Sequence, residues 1–190
     1  VLEKEDLDTI NAIKEYDCKI IKQKKTGYGN ALIEGINNAD TETLCIFNAD
    51  GSFNPIYLPK MLKLIKEGYD FIFASRYFKN GGSNDDTFIT YTGNKIFTFI
   101  GNCFFRLNIS DILFTFIMGK TNAFRALNLK SNDFRLCVEI PIKLKKFGFK
   151  YNSIPSFERP RITGKKKVNE FIDGFFILIE MVKLYFKDKN

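Results

Sequence analysis

An apolar run just long enough for one β-strand, Leu44-Cys-Ile-Phe47, stops at Asn48-Ala-Asp50-Gly-Ser-Phe-Asn-Pro55. Asn, Asp, Gly, Ser and Pro at this density punctuate a chain, so the strand ends here and leaves Asp50 at its carboxyl end. In open α/β sheets ligands bind at that edge, and a carboxylate there offers oxygens to a divalent ion that neutralises phosphates. A plain strand-to-turn Asp is the alternative for this segment on its own.

The flanking segments repeat the theme. Ile20-Ile21 is followed by Gly27-Tyr-Gly29-Asn-Ala-Leu-Ile-Glu-Gly35, a glycine-rich turn entering a helix with Ala31, Leu32 and Ile36 at its apolar positions. Residues 58–65 have a helical pattern, Phe71-Ile-Phe-Ala74 a strand pattern, and Ser75-Arg76 stands at that strand's end. Strand, turn, helix and strand, with polar residues at successive strand ends, predict half of a nucleotide-binding α/β domain. The three apolar runs are expected to be neighbours in one largely parallel sheet, with Asp50 and Arg76 on the same edge.

Composition narrows the chemistry. The 190 residues contain no histidine, which excludes Ser-His and Cys-His triads and imidazole metal ligands, so proton transfer falls to carboxylates, Lys or Tyr. Cys18, Cys45, Cys103 and Cys137 are scattered without Cys-x-x-Cys spacing, against both a zinc site and a disulfide framework. With 21 Phe and 45% hydrophobic residues the chain can bury a sizeable core, and the Phe content reads as core packing. One domain over residues 1–190 is expected.

Charge is uneven. Residues 141–190 carry twelve Lys/Arg against five Asp/Glu, an excess equal to the whole net charge of +7. A solvated basic face is one reading; the other is that Glu158-Arg-Pro-Arg161-Ile-Thr-Gly164-Lys-Lys-Lys167, broken by Pro and Gly, gathers its cations on a phosphate. Helix-turn-helix, zinc-finger and RRM signatures are missing, so nucleic acid is not an expected partner. Two stretches, Ile96 to Met118 and an amphipathic helix over 168–187, are apolar enough to be buried against the sheet or to lie on a bilayer surface. Residues 79–87 form a polar loop, and Thr90 to Phe105 reads as a helix followed by Asp111.

In order and spacing these motifs resemble the family 2 glycosyltransferases, the inverting GT-A enzymes that include dolichyl-phosphate mannose and glucose synthases. Gly27, Gly29, Ala31 and Gly35 match a Gly-x-Gly-x-Ala-x-x-x-Gly pattern, Asn48-Ala-Asp50 an Asp-x-Asp element, and Ser75-Arg76 the Ser-Arg that follows. Asp111, Glu139-Ile-Pro141 and Arg161-Ile-Thr-Gly164-Lys-Lys-Lys167 match later family elements. The resemblance implies a GT-A, Rossmann-like fold that moves a sugar from a nucleoside-diphosphate sugar to a polyprenyl phosphate or a glycan, in the cytoplasm at the inner face of a membrane. It implies Mg²⁺ or Mn²⁺ held by Asp50 and Asn48, and donor binding by those residues with Gly27 and Gly29. Ser75, Arg76, Arg161 and Lys167 are implied to bind acceptor or phosphate, Asp111 to be the catalytic base, and Asp85 and Asp86 to contact sugar hydroxyls.

The sequence departs from the family at two places. Asn48 replaces the first Asp of the metal element, which removes one negative charge beside the ion. The family's opening strand, Pro-x-Tyr-Asn-Glu and Asp-Asp-x-Ser elements have no counterpart ahead of residue 1, so the chain reads as a fragment lacking roughly a quarter of its domain. These departures keep two alternatives open: a nucleotide-sugar-binding module without turnover, and a basic adaptor for membrane surfaces or nucleic acid. For Asp111 the alternative is a helix N-cap before Ile-Leu-Phe.

Overall fold

A computed structural model describes residues 1–3, 6–163 and 168–187. Its central sheet has the order β1 (Thr43–Cys45), β4 (Ile117–Lys120), β2 (Phe71–Ser75), β5 (Tyr151–Pro155). Strands β1, β2 and β5 run in one direction, and β4 lies antiparallel between β1 and β2. The α/β, mostly parallel expectation therefore holds, but β1 and β2 are not neighbours. The strand between them comes from Phe114-Thr-Phe-Ile-Met-Gly119, where Phe116 and Met118 point to one face and Ile117 to the other. That period of two marks a strand at the end of the aromatic stretch Ile96 to Met118.

Strand β2 is buried along its whole length, as a central strand covered on both faces must be. Phe71 and Phe73 join Ile36, Phe124, Leu136 and Ile140 beneath α2 (Tyr28–Asn38), α5 (Thr121–Ala126) and α6 (Leu136–Lys146). Ile72 and Ala74 join Phe53, Met61, Ile65 and Phe116 on the opposite face, under α3 (Leu58–Lys66). A short helix α1 (Leu7–Ile13) precedes Ile20-Ile21, which are outside the sheet; among the described residues this region pairs through one parallel bridge between Leu2 and Lys22. Within the 79–87 loop, β3 (Gly82–Ser83) pairs in parallel with β6 (Phe157–Glu158), tying that loop to the basic segment.

The first apolar stretch divides: its end, Phe114 to Met118, is buried in the sheet, whereas its helical part and the terminal helix pack elsewhere. Helix α4 (Phe88–Phe105) and helix α7 (Glu170–Lys187) pack side by side on α6, around Leu107, Ile112, Val138, Ile177 and Met181. Gly174 faces Phe97, and Tyr185 meets Phe104 and Phe105, so both helices run the same way. Their outer faces leave Phe88 84% and Phe171 76% exposed, with Phe99, Ile172 and Phe175 also more than half exposed. The Phe content thus divides between core and surface, and a monomer's water-facing helices rarely carry so continuous an apolar face.

Candidate active site

At the end of β1 the chain turns through Asp50, whose Oδ1 accepts hydrogen bonds from the Ser52 amide at 3.0 Å and the Ser52 hydroxyl at 2.6 Å. This Asx turn fixes the carboxylate and leaves Oδ2 outward. Residues 159–162 cross over it: the Arg159 amide donates to Ser52 O and the Ile162 amide to Asp50 O, each at 2.9 Å. Those bonds bring the Arg161 guanidinium to 3.6 Å from Asp50 Oδ2, while its Nε donates to Asp85 at 3.1 Å. Gly164 and Lys167 lie outside the described residues.

At the end of β2 the buried Arg76 side chain gathers three carboxylates. Nε and Nη2 donate to the two oxygens of Asp111 at 2.8 and 3.0 Å, and Nη1 donates to Asp86 at 3.3 Å and to Glu158 at 3.2 Å. The guanidinium also lies over Phe114 at 4.6 Å and Tyr77 at 5.1 Å. Burial opposes its charge, but the field and hydrogen bonds of Asp111, with Glu158 beside it, hold its pKa well above the ordinary value. Burial pushes Glu158 upward, opposed by Arg76 and by the Ser83 hydroxyl, which donates to it at 2.6 Å. Tyr77 donates to Asp86, and its own pKa is raised chiefly by burial.

Both strand ends open into one cavity of about 910 Å³. Asn48, Asp50, Asp85, Asp86, Glu158 and Arg161 line its polar part, and α4 and α7 its apolar part. Asp50 and Arg76 are accordingly on one edge and in one cleft, as the sequence predicts. Among the described residues five carboxylates, counting Asp111, stand against two guanidinium groups, so this cluster when fully ionised has an excess of three negative charges. Such a place favours a cation.

Several of the predicted residues have protein partners in the structure. Asp111 has a fully buried side chain whose two oxygens accept from Arg76, and no helix begins at it. Arg76 donates four of its five side-chain N–H groups to carboxylates. Ser75 is buried, bonded to the Ser110 hydroxyl at 2.6 Å and to the Tyr77 amide. Gly27 and Gly29 do not face the cavity. A Cβ on Gly29 would come within 2.2 Å of Ser131 O, and one on Gly27 within 2.4 Å of Asn132 O, so the glycines let α2 approach the 131–133 backbone. That backbone is held in turn by Glu139, which accepts from the Lys130 and Ser131 amides and pairs with Lys143 at 2.6 Å. Sequence reasoning missed Glu158 as a site residue, since an acid ahead of two arginines carries no local signal, and it missed Asn94 and Tyr28 in the cavity wall.

Among the described residues no group of three or more His, Cys, Asp or Glu could hold a metal unaided. Asp50 Oδ2 and the Asn48 amide nevertheless suit a hard ion that arrives with phosphates, because Mg²⁺ commonly takes one or two protein oxygens and completes its shell with substrate and water. The guanidinium already facing Asp50 Oδ2 is consistent with a cation position there.

The sheet order, the carboxylate at the first strand end and the cavity at the strand ends define an α/β domain with one cleft at the carboxyl edge of its sheet. The chain belongs to Glycosyl transferase family 2, whose profile matches residues 5–127. It is 27% identical over 134 residues to a dolichol-phosphate mannosyltransferase of Pyrococcus furiosus, covering 69% of this chain and 38% of that one. It is 26% identical over 170 residues to glycosyltransferase AglJ of Haloferax volcanii, covering 86% and 54%. Its fold superposes with a TM-score of 0.69 at 8% identity on glucosyl-3-phosphoglycerate synthase of Mycobacterium tuberculosis, solved with Mn²⁺, UDP and glucosyl-3-phosphoglycerate, covering 93% and 64%. The chain thus spans between about two fifths and two thirds of the length of these proteins.

Proposed function

We propose that the chain transfers a hexose, with inversion, from a nucleoside-diphosphate sugar to an acceptor phosphate carried on a polyprenyl chain, at the surface of a membrane. The observation that carries this reading is the two-part cavity. Its polar end can take a diphosphate that arrives with a divalent cation, and its other wall opens onto the exposed apolar faces of α4 and α7, where an isoprenoid can lie. A glycan acceptor would find no use for that face. Among the described residues no helix is long and apolar enough to cross a membrane, so contact through these faces would be interfacial.

In the reaction the bond between the anomeric carbon and the diphosphate oxygen breaks while an acceptor oxygen bonds to the opposite face of the sugar. A phosphate acceptor is already anionic and needs positioning more than a base. Asp50 and Asn48 would hold Mg²⁺ or Mn²⁺, which supplies charge stabilisation to the leaving diphosphate. Arg161, drawn off Asp50, presents two parallel N–H groups to a phosphate, and Asp85, Asp86 and Glu158 wall the sugar. Binding of UDP and Mn²⁺ by the mycobacterial synthase and the name of the Pyrococcus relative support the donor and acceptor classes.

The test uses the intact protein with UDP- and GDP-hexoses, Mg²⁺ or Mn²⁺, and polyprenyl phosphate in vesicles. Asp50→Ala should abolish turnover. Arg161→Lys should slow transfer to the lipid phosphate about tenfold to a hundredfold, the loss of roughly 1.5–3 kcal/mol of charge-assisted bonding, with water hydrolysis of the donor changed far less. Equal losses in both reactions would put Arg161 on the donor and remove support for the lipid phosphate. Asn48 favours a second reading, a module that binds the donor without turnover; donor binding with no transfer or hydrolysis under any divalent ion would establish it.

A further inference from the structure

Asn94 lies on α4 at a buried position, 6% exposed, in the wall of the cavity that also holds Asp50, Arg76, Asp86 and Glu158. Its amide oxygen has no hydrogen-bond partner. The other polar groups on the same helical stripe, four and eight residues on, have partners in the segment after the helix. Thr98 Oγ1 accepts from the Ile112 amide at 3.1 Å, while Asn102 donates to Ile109 O at 2.8 Å and accepts from the Ile109 amide at 3.1 Å. Thr98 and Asn102 thus pin the 109–112 segment to α4, and Asn94, the first member of the stripe, is left with its oxygen unpaired. A buried carboxamide oxygen without a partner costs stability, so its retention calls for a ligand or ordered water.

The chemistry of the side chain selects the ligand group. A carboxamide offers an acceptor and two donor hydrogens. A phosphate dianion only accepts and would leave the oxygen unpaired, and an isoprenoid would satisfy neither end. A sugar hydroxyl both donates and accepts, and being neutral it is not repelled by the carboxylates around it. We propose that Asn94 is a specificity-determining residue that pairs with one hydroxyl of the hexose being transferred, on the α4 side of the cavity. The assignment rests on the reading of the cavity as a nucleoside-diphosphate-sugar site.

The experiment measures kcat/KM of the intact protein and of Asn94→Ala on UDP-glucose and GDP-mannose and, for the donor used, its 2-, 3-, 4- and 6-deoxy analogues. One deoxy analogue should be at least about tenfold poorer than the parent with the native protein, because its loss leaves the amide unpaired. In Asn94→Ala the parent should fall by a similar factor and that analogue should not, so discrimination at one carbon disappears while the other three ratios persist. The thermal midpoint of Asn94→Ala should not drop, since an unsatisfied polar group is removed. Equal loss on the parent and every analogue, or a lower midpoint with all ratios kept, overturns the assignment and makes Asn94 a packing residue. If neither donor is bound or turned over by the native protein, the cavity reading itself fails and the role of Asn94 with it.

Discussion

Replacing Asp111 by Asn separates a positioning role from a catalytic one. The Asp111 carboxylate accepts from Arg76 Nε at 2.8 Å, Nη2 at 3.0 Å and the Arg76 amide at 3.2 Å, with no side-chain surface exposed. Breaking one partner of a buried ion pair costs about 3–5 kcal/mol, largely because the other charge is stranded. Here Asp86 and Glu158 remain 3.3 and 3.2 Å from Nη1, so Arg76 keeps two anionic partners and the cost belongs at the low end, about 3 kcal/mol. Asn retains one acceptor but turns an NH₂ toward N–H groups, which prevents a smaller figure. For a domain of this size about 3 kcal/mol lowers the melting midpoint by roughly 6–12 °C. Urea unfolding and thermal melts measure this directly, alongside transfer rates taken well below the new midpoint. A transfer rate down more than a hundredfold with stability within about 0.5 kcal/mol of native would refute the positioning argument and make Asp111 the base.

Two further substitutions test the scaffold. Gly29→Ala should cost about 3 kcal/mol or more, because its Cβ would meet the Ser131, Asn132 and Asp133 backbone at 2.2–2.8 Å and backbone cannot rotate away; normal stability with lost nucleotide affinity would instead make the glycine a phosphate cradle. Glu139→Gln tests linkage to pH. Burial opposes the charge of Glu139, but Lys143 and the Ser131 and Lys130 amides outweigh it and hold its pKa below the ordinary 4.5. With the folded value below the unfolded one, this stabilisation is present above about pH 4.5 and is lost as pH falls through the folded value. The variant should be about 1.5–3 kcal/mol less stable at pH 7, with the gap closing in acid; denaturant curves showing a constant gap from pH 7 to 3 would contradict it.

Much of the chain's organisation is local and therefore legible. The glycine-rich entry to α2, the helix over residues 58–65, the β2 strand and the helix after residue 87 all follow from short-range periodicity and turn chemistry. The placement of Asp50 and Arg76 at strand ends is equally local, and it put both in the cleft. Roles were harder to read than places. Motif matching cannot count the Arg76 N–H groups taken by acids 10, 35 and 82 residues away.

What the sequence by itself determined is the set of elements, the family and the strand-end position of the acidic turn, all properties of neighbouring residues. Tertiary structure alone decided that β4 separates β1 from β2, because its ladder partners lie far off in the chain. It also decided that α4 and α7 lean on α6 and expose their phenylalanines, a choice between bilayer and core that amphipathicity leaves open. Asn94 and Glu158 became visible the same way. Whether a buried polar atom has a partner is fixed by groups that only folding brings within hydrogen-bond distance.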